Sequence, residues 1–382
     1  MNSVERHNQL IPMGTQVSSK GRFRFCEGHG PEWIIDTYGV AVWDEKARPL
    51  IDTTGGLGGL TLGHGCIKER RPLLLPLSHS VELKLAEYLH ANVKSCEMMR
   101  FLKTGTDATA AAIRLARIHT NRNYIIDFGS YHGWADAFLT PEHAGVPDQV
   151  RNYTWRLGKD GITSIDERIA AVILEPWPLQ GMDLDFLNAI RERCDHKGVV
   201  LIYDEVISGF RCGMSGVMDH GAPAPDLTCA GKAMGNGWPI SVVYGKREVM
   251  ECWSRTHISG THFADPACMQ GALEVLEQTK GVMMFQDDPP VLPEPFLTVG
   301  TKMWWCVKGP DLQLTALQKR LMDKGWLTNF SHFTYQCFQE YERHYRDLLV
   351  VEATAIAGLS DEQVRAELGS IPLNRSVFRR NA

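Results

Sequence analysis

Val199-Val200-Leu201-Ile202-Tyr203-Asp204-Glu205-Val206 is a run of five apolar residues closed by two adjacent carboxylates. So continuous an apolar run fits a strand buried on both faces, as in the interior of a parallel sheet. An acid ending such a run needs a cationic partner, because burying it unpaired costs several kcal/mol. Arg211, a few residues on, is one candidate partner; the protonated ring nitrogen of a bound heterocycle is the other.

The same pattern repeats on both sides. Ala170 to Leu174 is a buried strand ending in Glu175-Pro176, and the following helix carries Leu184, Leu187, Ile190 and Cys194 on one face before Lys197-Gly198. Tyr124 to Phe128 is a strand that runs into Gly129-Ser130-Tyr131-His132-Gly133-Trp134. Met98 to Leu102 is another, followed at once by Thr104-Gly105-Thr106-Asp107 and a helix from Ala108 to Ile118. A helix bearing Val81, Leu83, Leu85, Leu89 and Val93 precedes it. Downstream come Asp226 to Ala230, then Gly231-Lys232, an apolar run from Ile240 to Tyr244, and the turn Ser259 to Pro266 entering a helix from Ala267 to Gln278. From about 80 to 280 the chain alternates strand and helix, which predicts a large, mostly parallel α/β layer.

The flanks differ. Trp33 to Asp36, Val40 to Asp44 and Pro49 to Asp52 read as a small antiparallel meander. Gly55 to Gly65 is glycine-rich but holds no G-x-G-x-x-G opening a helix, so it reads as a flexible crossing between domains that touches a ligand at most. Residues 140–165 are polar and turn-rich, without periodicity. After the proline-rich stretch Asp287 to Pro295, helices over 312–324, 338–347 and 360–368, the last capped by Ser360, suggest a mainly helical small domain.

Composition narrows the function classes. The 382 residues carry a net charge of −5 and are 44% hydrophobic, which gives no reason to expect nucleic acid or an anionic membrane as partner. The start lacks the pattern of a signal peptide, and no apolar run approaches the ~18–20 residues of a membrane span. The ten cysteines include no C-x-x-C pair, so no structural metal site is expected; Cys194 and Cys229 read as small core residues in a reducing cytoplasm.

The strand ends carry the chemistry. A strand, a Gly/Thr turn and a helix present free N–H groups and a positive dipole end, so Gly105 and Thr106 suit a phosphate, although Thr106 as a plain helix cap is an equal reading. Tyr131 and His132 follow a strand's end, where open sheets bind ligands; stacking on a flat ring and ordinary core packing are both open to Tyr131. Lys232 follows an apolar run and is trailed by Gly235, Gly237 and Pro239, which allow close approach of a large ligand. A phosphate cradle, an aromatic cover, a buried carboxylate and a lysine together suit pyridoxal 5'-phosphate. The lysine would bind its aldehyde as a Schiff base, and Asp204 would keep its ring nitrogen protonated.

With these residues the chain resembles the class III aminotransferases of fold type I, and among them the branch similar to glutamate-1-semialdehyde aminomutase. The resemblance covers about residues 10 to 280 and rests on several motifs. These are Trp43-Asp44, Leu62-Gly63-His64, Thr104-Gly105-Thr106-Asp107-Ala108, Tyr131-His132-Gly133, Glu175-Pro176, Asp204-Glu205-Val206 with Ser208-Gly209-Phe210-Arg211, Gly231-Lys232, and Gly260-Thr261. It implies an α/β fold: a large domain over 61–285 with a mostly parallel sheet flanked by helices, and a small α+β domain built from 1–60 and 286–382.

The resemblance further implies catalysis by Lys232 and Asp204, with Val206 and Tyr131 on the two faces of the ring. Gly105 and Thr106 would hold the phosphate, Thr261 would complete the phosphate site of the neighbouring subunit, and His132 and Glu175 would belong to the cofactor site. The implied protein is a cytoplasmic homodimer with shared active sites and small-molecule substrates, an amino-acid donor such as glutamate and a carbonyl acceptor. The segment Gly14 to Lys20 resembles relatives serving surface-polysaccharide and amino-sugar pathways, in which Ser18 and Arg22 would approach a keto-sugar. The aminomutase carries a long loop after Tyr-His-Gly, whereas Trp134 to Arg151 is short here, which favours ordinary transamination. A 2,1-aminomutase is the alternative, and a non-catalytic relative a distant third. The C-terminal region is shorter than usual for the family and leaves any carboxylate-binding arginine unassigned.

Overall fold

Three short strands, β1 (Ile34–Tyr38), β2 (Ala41–Asp44) and β3 (Pro49–Asp52), form the antiparallel meander the sequence predicts. Asp44 closes the β2–β3 turn by accepting the N–H groups of Lys46 and Arg48 at 3.0 and 2.8 Å. The computed structural model describes residues 3–11, 15, 20–67, 75–129, 132–135, 145–282, 288–330 and 339–373. The chain divides into two units, Met1–Cys66 with Phe285–Ala382, and Ile67–Met284.

The glycine-rich stretch after β3 is not a loose crossing. Gly55, Gly56, Leu57 and Gly58 have φ of 53°, 60°, 64° and 73°, a single left-handed turn. Only glycine takes such values without strain, so Leu57 is the one costly position. Buried Asp52 pins the turn. Its carboxylate accepts Thr54 N–H, Thr54 Oγ1 and Gly56 N–H at 2.7–2.9 Å and meets His64 Nε2 at 3.0 Å. His64 in turn exchanges two backbone hydrogen bonds with Gly39.

In the unit Ile67–Met284, seven strands form one sheet: β4 (Met98–Leu102), β5 (Tyr124–Asp127), β6 (Thr154–Arg156), β7 (Ile169–Leu174), β8 (Val200–Glu205), β9 (Leu227–Ala230) and β10 (Ser241–Gly245). Their spatial order is β4-β10-β9-β8-β7-β5-β6. The pairs β6–β5, β5–β7, β7–β8 and β8–β9 are parallel, and β10 is antiparallel to both β9 and β4. All strands but β10 therefore point one way, and the mostly parallel sheet is as expected. Every residue of β7 through β10 is buried, which explains their mostly apolar sequences, interrupted by Asp204, Glu205, Thr228 and Ser241. Alternation along β10 shows both faces covered. Val243 joins the core beneath helix Gly105–Thr120, while Val242 and Tyr244 pack with helices Ser80–Asn92 and Pro266–Thr279.

Two details differ from expectation. Leu83, expected on the apolar face of Ser80–Asn92, is exposed, because two residues from Val81 is more than half a turn away; Val81, Leu85 and Leu89 are the buried face. β6 lies in the stretch read as irregular, since three residues are too short to show a period.

The C-terminal segment contains a hairpin, β11 (Leu297–Thr301) with β12 (Trp304–Lys308), as well as helices Asp311–Asp323, Gln339–Ala357 and Asp361–Leu368. This corrects a mainly helical reading. Strand β13 (Trp326–Leu327) pairs in parallel with β3 and so joins the two ends of the chain in one unit. Buried Gln318 adds to that junction, its Nε2 donating to the carbonyls of Arg24 and Thr328 at 2.6 and 2.5 Å. Among the described residues no helix is long and apolar enough to cross a membrane.

Candidate active site

The strands that share a direction also share an end, and the singled-out residues collect there. Lys232 lies two residues past β9, where Gly231 leaves the strand and a short 3-10 turn, Lys232–Gly235, begins. Its φ is +37°, outside the usual range for a residue with a side chain, and such strain costs on the order of 1–3 kcal/mol and clusters at functional positions. Half-buried, the amine reaches His132, with Nζ 2.7 Å from Nε2.

His132, beyond the end of β5, meets two acids with its other nitrogen. Nδ1 is 3.0 Å from Asp204 Oδ2 and 3.3 Å from Glu175 Oε1. The backbone N–H of His132 also donates to Asp204 Oδ2. Ionised carboxylates only accept, so Nδ1 carries the hydrogen, and in the neutral ring Nε2 is left as the acceptor facing Lys232. Asp204 and Glu175 are both buried, at the ends of β8 and one residue beyond β7. Asp204 Oδ1 takes the N–H of Val206 at 3.0 Å, which turns the chain so that the Val206 side chain lies against Gly105.

Gly105 opens the helix Gly105–Thr120 directly after β4. A Cβ there would stand 2.9 Å from Val206 Cγ1 and 3.4 Å from His132 Cβ, so only glycine fits. The helix cap is Thr104 rather than Thr106. Thr104 Oγ1 accepts from Asp107 N–H at 3.1 Å, and the Asp107 carboxylate takes Thr104 N–H at 2.8 Å. This reciprocal box frees Thr106 from capping and leaves the N–H groups of Gly105 and Thr106 without acceptors inside the helix. Two hydroxyls hold the turn in place: Ser241 Oγ donates to Thr104 O at 2.7 Å, and Thr109 Oγ1 to His132 O at 2.6 Å. Sequence reasoning passed over Thr104, Thr109 and Ser241. The pattern Thr-x-x-Asp was the available signal for the first; nothing local marks the other two.

Gly105, His132, Glu175, Asp204, Val206 and Lys232, spread over 128 positions of chain, are thus linked by hydrogen bonds or packing, with Thr106 next to them. Thr261 is exposed on a turn whose flanks are anchored, His257 O by Arg114 at 3.1 Å and Asp265 by Lys103 at 3.7 Å. Arg22 belongs to the other unit, where its guanidinium donates to Asn8 Oδ1 at 2.6 Å and covers the Trp33 ring at 5.2 Å. Tyr131, Ser18 and positions 136–144 lie outside the described residues. Cys194 and Cys229 are buried with their thiols pushed up by burial, Cys194 to about 12, as suits core residues.

His132, Glu175 and Asp204 offer donor atoms all within 4.8 Å of one another, a spacing that also admits a divalent cation. The lysine on the far nitrogen of His132 and the helix N-terminus beside Gly105 have no part in such a site. They match a ligand with an electrophilic carbon, a basic ring nitrogen and a phosphate. 

A sequence profile described as aminotransferase class-III matches residues 140–287. The chain is 35% identical over 308 residues to the glutamate-1-semialdehyde 2,1-aminomutase of Nitrosomonas europaea, covering 72% of this chain and 70% of that protein. It is 34% identical over 310 residues to the protein of the same name from Cytophaga hutchinsonii, covering 71% of each. Among solved structures it is similar to an omega-transaminase from Sphaerobacter thermophilus (TM-score 0.79, 22% identity, 93% of this chain and 97% of that one). A structure described as a transaminase with PLP bound superimposes with a TM-score of 0.77 at 22% identity, over 92% and 96% of the chains. The structural likenesses carry the fold, which is that of fold type I transaminases, and the sequence relatives carry the family. The chain belongs to the class III aminotransferases.

Proposed function

We propose that this enzyme uses pyridoxal 5'-phosphate to move an amino group from an amino-acid donor, glutamate in our reading, to a carbonyl acceptor. A keto-sugar of surface-polysaccharide or amino-sugar biosynthesis is the acceptor class we favour. One observation carries the reading: a lysine, a histidine and two buried carboxylates meet at the strand ends, beside a helix N-terminus that only glycine can open.

The donor set fits the cofactor. Lys232 offers an amine to the aldehyde, Asp204 an anion to the ring nitrogen, Val206 an apolar face to the ring, and Gly105 and Thr106 a helix N-terminus to the phosphate. We assign the other ring face to Tyr131 and a phosphate contact in the neighbouring subunit to exposed Thr261, in a cytoplasmic homodimer with shared active sites. Arg22 and Ser18 remain our proposed substrate contacts. When bound, the cofactor supplies an electron sink for the charge left on the substrate carbon that loses its proton. Lys232 Nζ, as a neutral amine, takes and returns that proton. His132 Nε2 orients the amine, and Glu175 and Asp204 hold His132 in the tautomer that lets it do so. Asp204 is shut off from water, so its attraction for the ring nitrogen would be little screened.

A second reading, a glutamate-1-semialdehyde type 2,1-aminomutase, is favoured by the 34–35% identity to proteins of that name. An aminomutase needs no external acceptor, and this separates the two. The test is an absorbance spectrum of the protein with added pyridoxal 5'-phosphate, before and after L-glutamate, with Lys232→Ala alongside. We expect a visible band of lysine-bound cofactor that glutamate bleaches, that an added keto compound restores, and that Lys232→Ala lacks. A band restored by no external acceptor moves the assignment to the aminomutase. No band in the wild type overturns the cofactor reading.

A further inference from the structure

Asp204 and Glu205 are consecutive, and both are buried, yet they point into different surroundings, as neighbours on a strand must. Asp204 faces His132. Glu205 faces the segment that follows its own strand. Glu205 Oε2 accepts Ser208 Oγ and the N–H of Val217, both at 3.0 Å, and its carbonyl accepts Gly209 N–H at 2.8 Å. The fit is tight: Gly216 has φ +57°, and a Cβ on it would stand 1.9 Å from Glu205 Oε2. One side chain thus ties both ends of the stretch 208–217 beneath the strand end that carries Asp204 and Val206.

We propose that Glu205 is a positioning residue for the cofactor site, holding the 208–217 segment so that Asp204 and Val206 keep a fixed place. This rests on the cofactor reading above. The chemistry beside Glu205 favours a neutral carboxyl. Burial pushes it up to about 8, against the hydrogen bonds from Val217 and Ser208, and the negative charges of Asp204 and Asp219 push the same way. The other titratable groups facing it are Tyr203 on its own strand, Tyr244 on β10 and Cys212 in the segment, and Arg211 is buried in that segment as well. Burial and the neighbouring acids thus both favour the protonated form of Glu205. An amide has the same shape and the same two accepting lone pairs, so Glu205→Gln keeps the clamp, whereas Glu205→Ala leaves Ser208 Oγ and Val217 N–H buried without an acceptor.

The experiment titrates the apoproteins with pyridoxal 5'-phosphate, follows the visible band of the lysine-bound cofactor across pH, and records thermal unfolding without cofactor. We expect Glu205→Gln to keep the wild-type Kd within about twofold, and Glu205→Ala to weaken it about tenfold or more and to move the pH midpoint of the band. Ser208→Ala, which removes one donor and is the milder variant, is expected to weaken binding by about threefold, and it serves if Glu205→Ala does not fold. A wild-type Kd and midpoint in Glu205→Ala, or in Ser208→Ala where the former is unfolded, overturns the proposal. So does a Glu205→Gln protein that folds normally but binds as poorly as Glu205→Ala, because the requirement would then be for charge. Failure of the wild type itself to form the band is a different result, and it sinks the cofactor reading rather than the clamp.

Discussion

Two glycine-bearing turns invite the same reading in sequence and dispose of their backbone in opposite ways. The stretch Asp52 to Gly59 is the richer, with four glycines, and Thr104-Gly105-Thr106-Asp107 has one. In the first, the acid comes before the turn and its carboxylate consumes the N–H groups of Thr54 and Gly56, while Thr54 Oγ1 takes that of Leu57 at 3.4 Å. The N–H groups of Gly58, Gly59 and Leu60 return to carbonyls of the same turn. In the second, the acid comes after the glycine and folds back onto Thr104, so the donors of Gly105 and Thr106 are left facing forward. Glycine content therefore does not mark an anion site. What leaves donors free for an anion is where the N–H groups go, and that depends on which side of the glycine the capping acid stands.

The largest effect expected of this contrast is on the sealed turn. Asp52→Ala leaves four donors, including the partly buried His64 ring, without their acceptor, and should destabilise the apoprotein by about 3 kcal/mol or more. Burial alone would raise the Asp52 carboxyl, but hydrogen bonds from His64, Thr54 and Gly56 overcome it and hold the group below its usual value. A carboxyl lowered on folding stabilises the protein above its unfolded value, and that contribution is lost as pH falls through the folded value. The gap in melting temperature between wild type and Asp52→Ala should accordingly be full at pH 7 and shrink once the pH drops below the ordinary carboxylate range. A gap that stays constant with pH breaks the account of Asp52 as the charged anchor of the turn.

Gly105→Ala tests the open turn, and its effect should appear in binding. The added methyl meets Val206 at 2.9 Å, an overpacking worth about 1–3 kcal/mol, and it falls between two groups assigned to the cofactor. The Kd for pyridoxal 5'-phosphate, read from the visible band, should rise about tenfold or more, and the overpacking itself should lower apoprotein melting by about 2–4 °C per kcal/mol. An unaltered Kd would remove Gly105 and Thr106 from the phosphate site.

Much of this was legible in the sequence, because β7 through β10 are short, mostly apolar runs bounded by turn residues, the pattern of strands buried on both faces. The site was legible for the same reason: Glu175, Asp204 and Lys232 are polar residues stranded at the ends of buried runs, where each needs an explanation. What stayed hidden was long-range. β10 lies antiparallel to both β9 and β4, the latter 139 or more positions away, and nothing in Ser241 to Gly245 itself records a direction. The cap at Thr104 was missed through attention to Thr106, and the role of Glu205 was masked by the more conspicuous acid before it. The hairpin Leu297–Lys308 escaped because its strands share no period: Leu297–Thr301 is mixed, while Trp304 to Val307 is a continuous buried run.

The smallest expected effect separates the turns most sharply. Gly56 has φ +60°, and a Cβ there would stand 3.3 Å from Leu60 Cγ, an ordinary side chain able to give way. Gly56→Ala thus pays chiefly the left-handed backbone cost of about 1–2 kcal/mol, which Leu57 at φ +64° already bears next to it. Apoprotein melting should fall by a few degrees, about 2–4 °C per kcal/mol for a chain of this kind, and cofactor affinity of the folded protein should stay within about twofold. The decisive quantity is the ratio between the two variants. If Gly56→Ala weakened the cofactor as much as Gly105→Ala does, the glycine-rich turn would also be part of the binding machinery, and the placement of the capping acid would no longer predict which turn holds an anion.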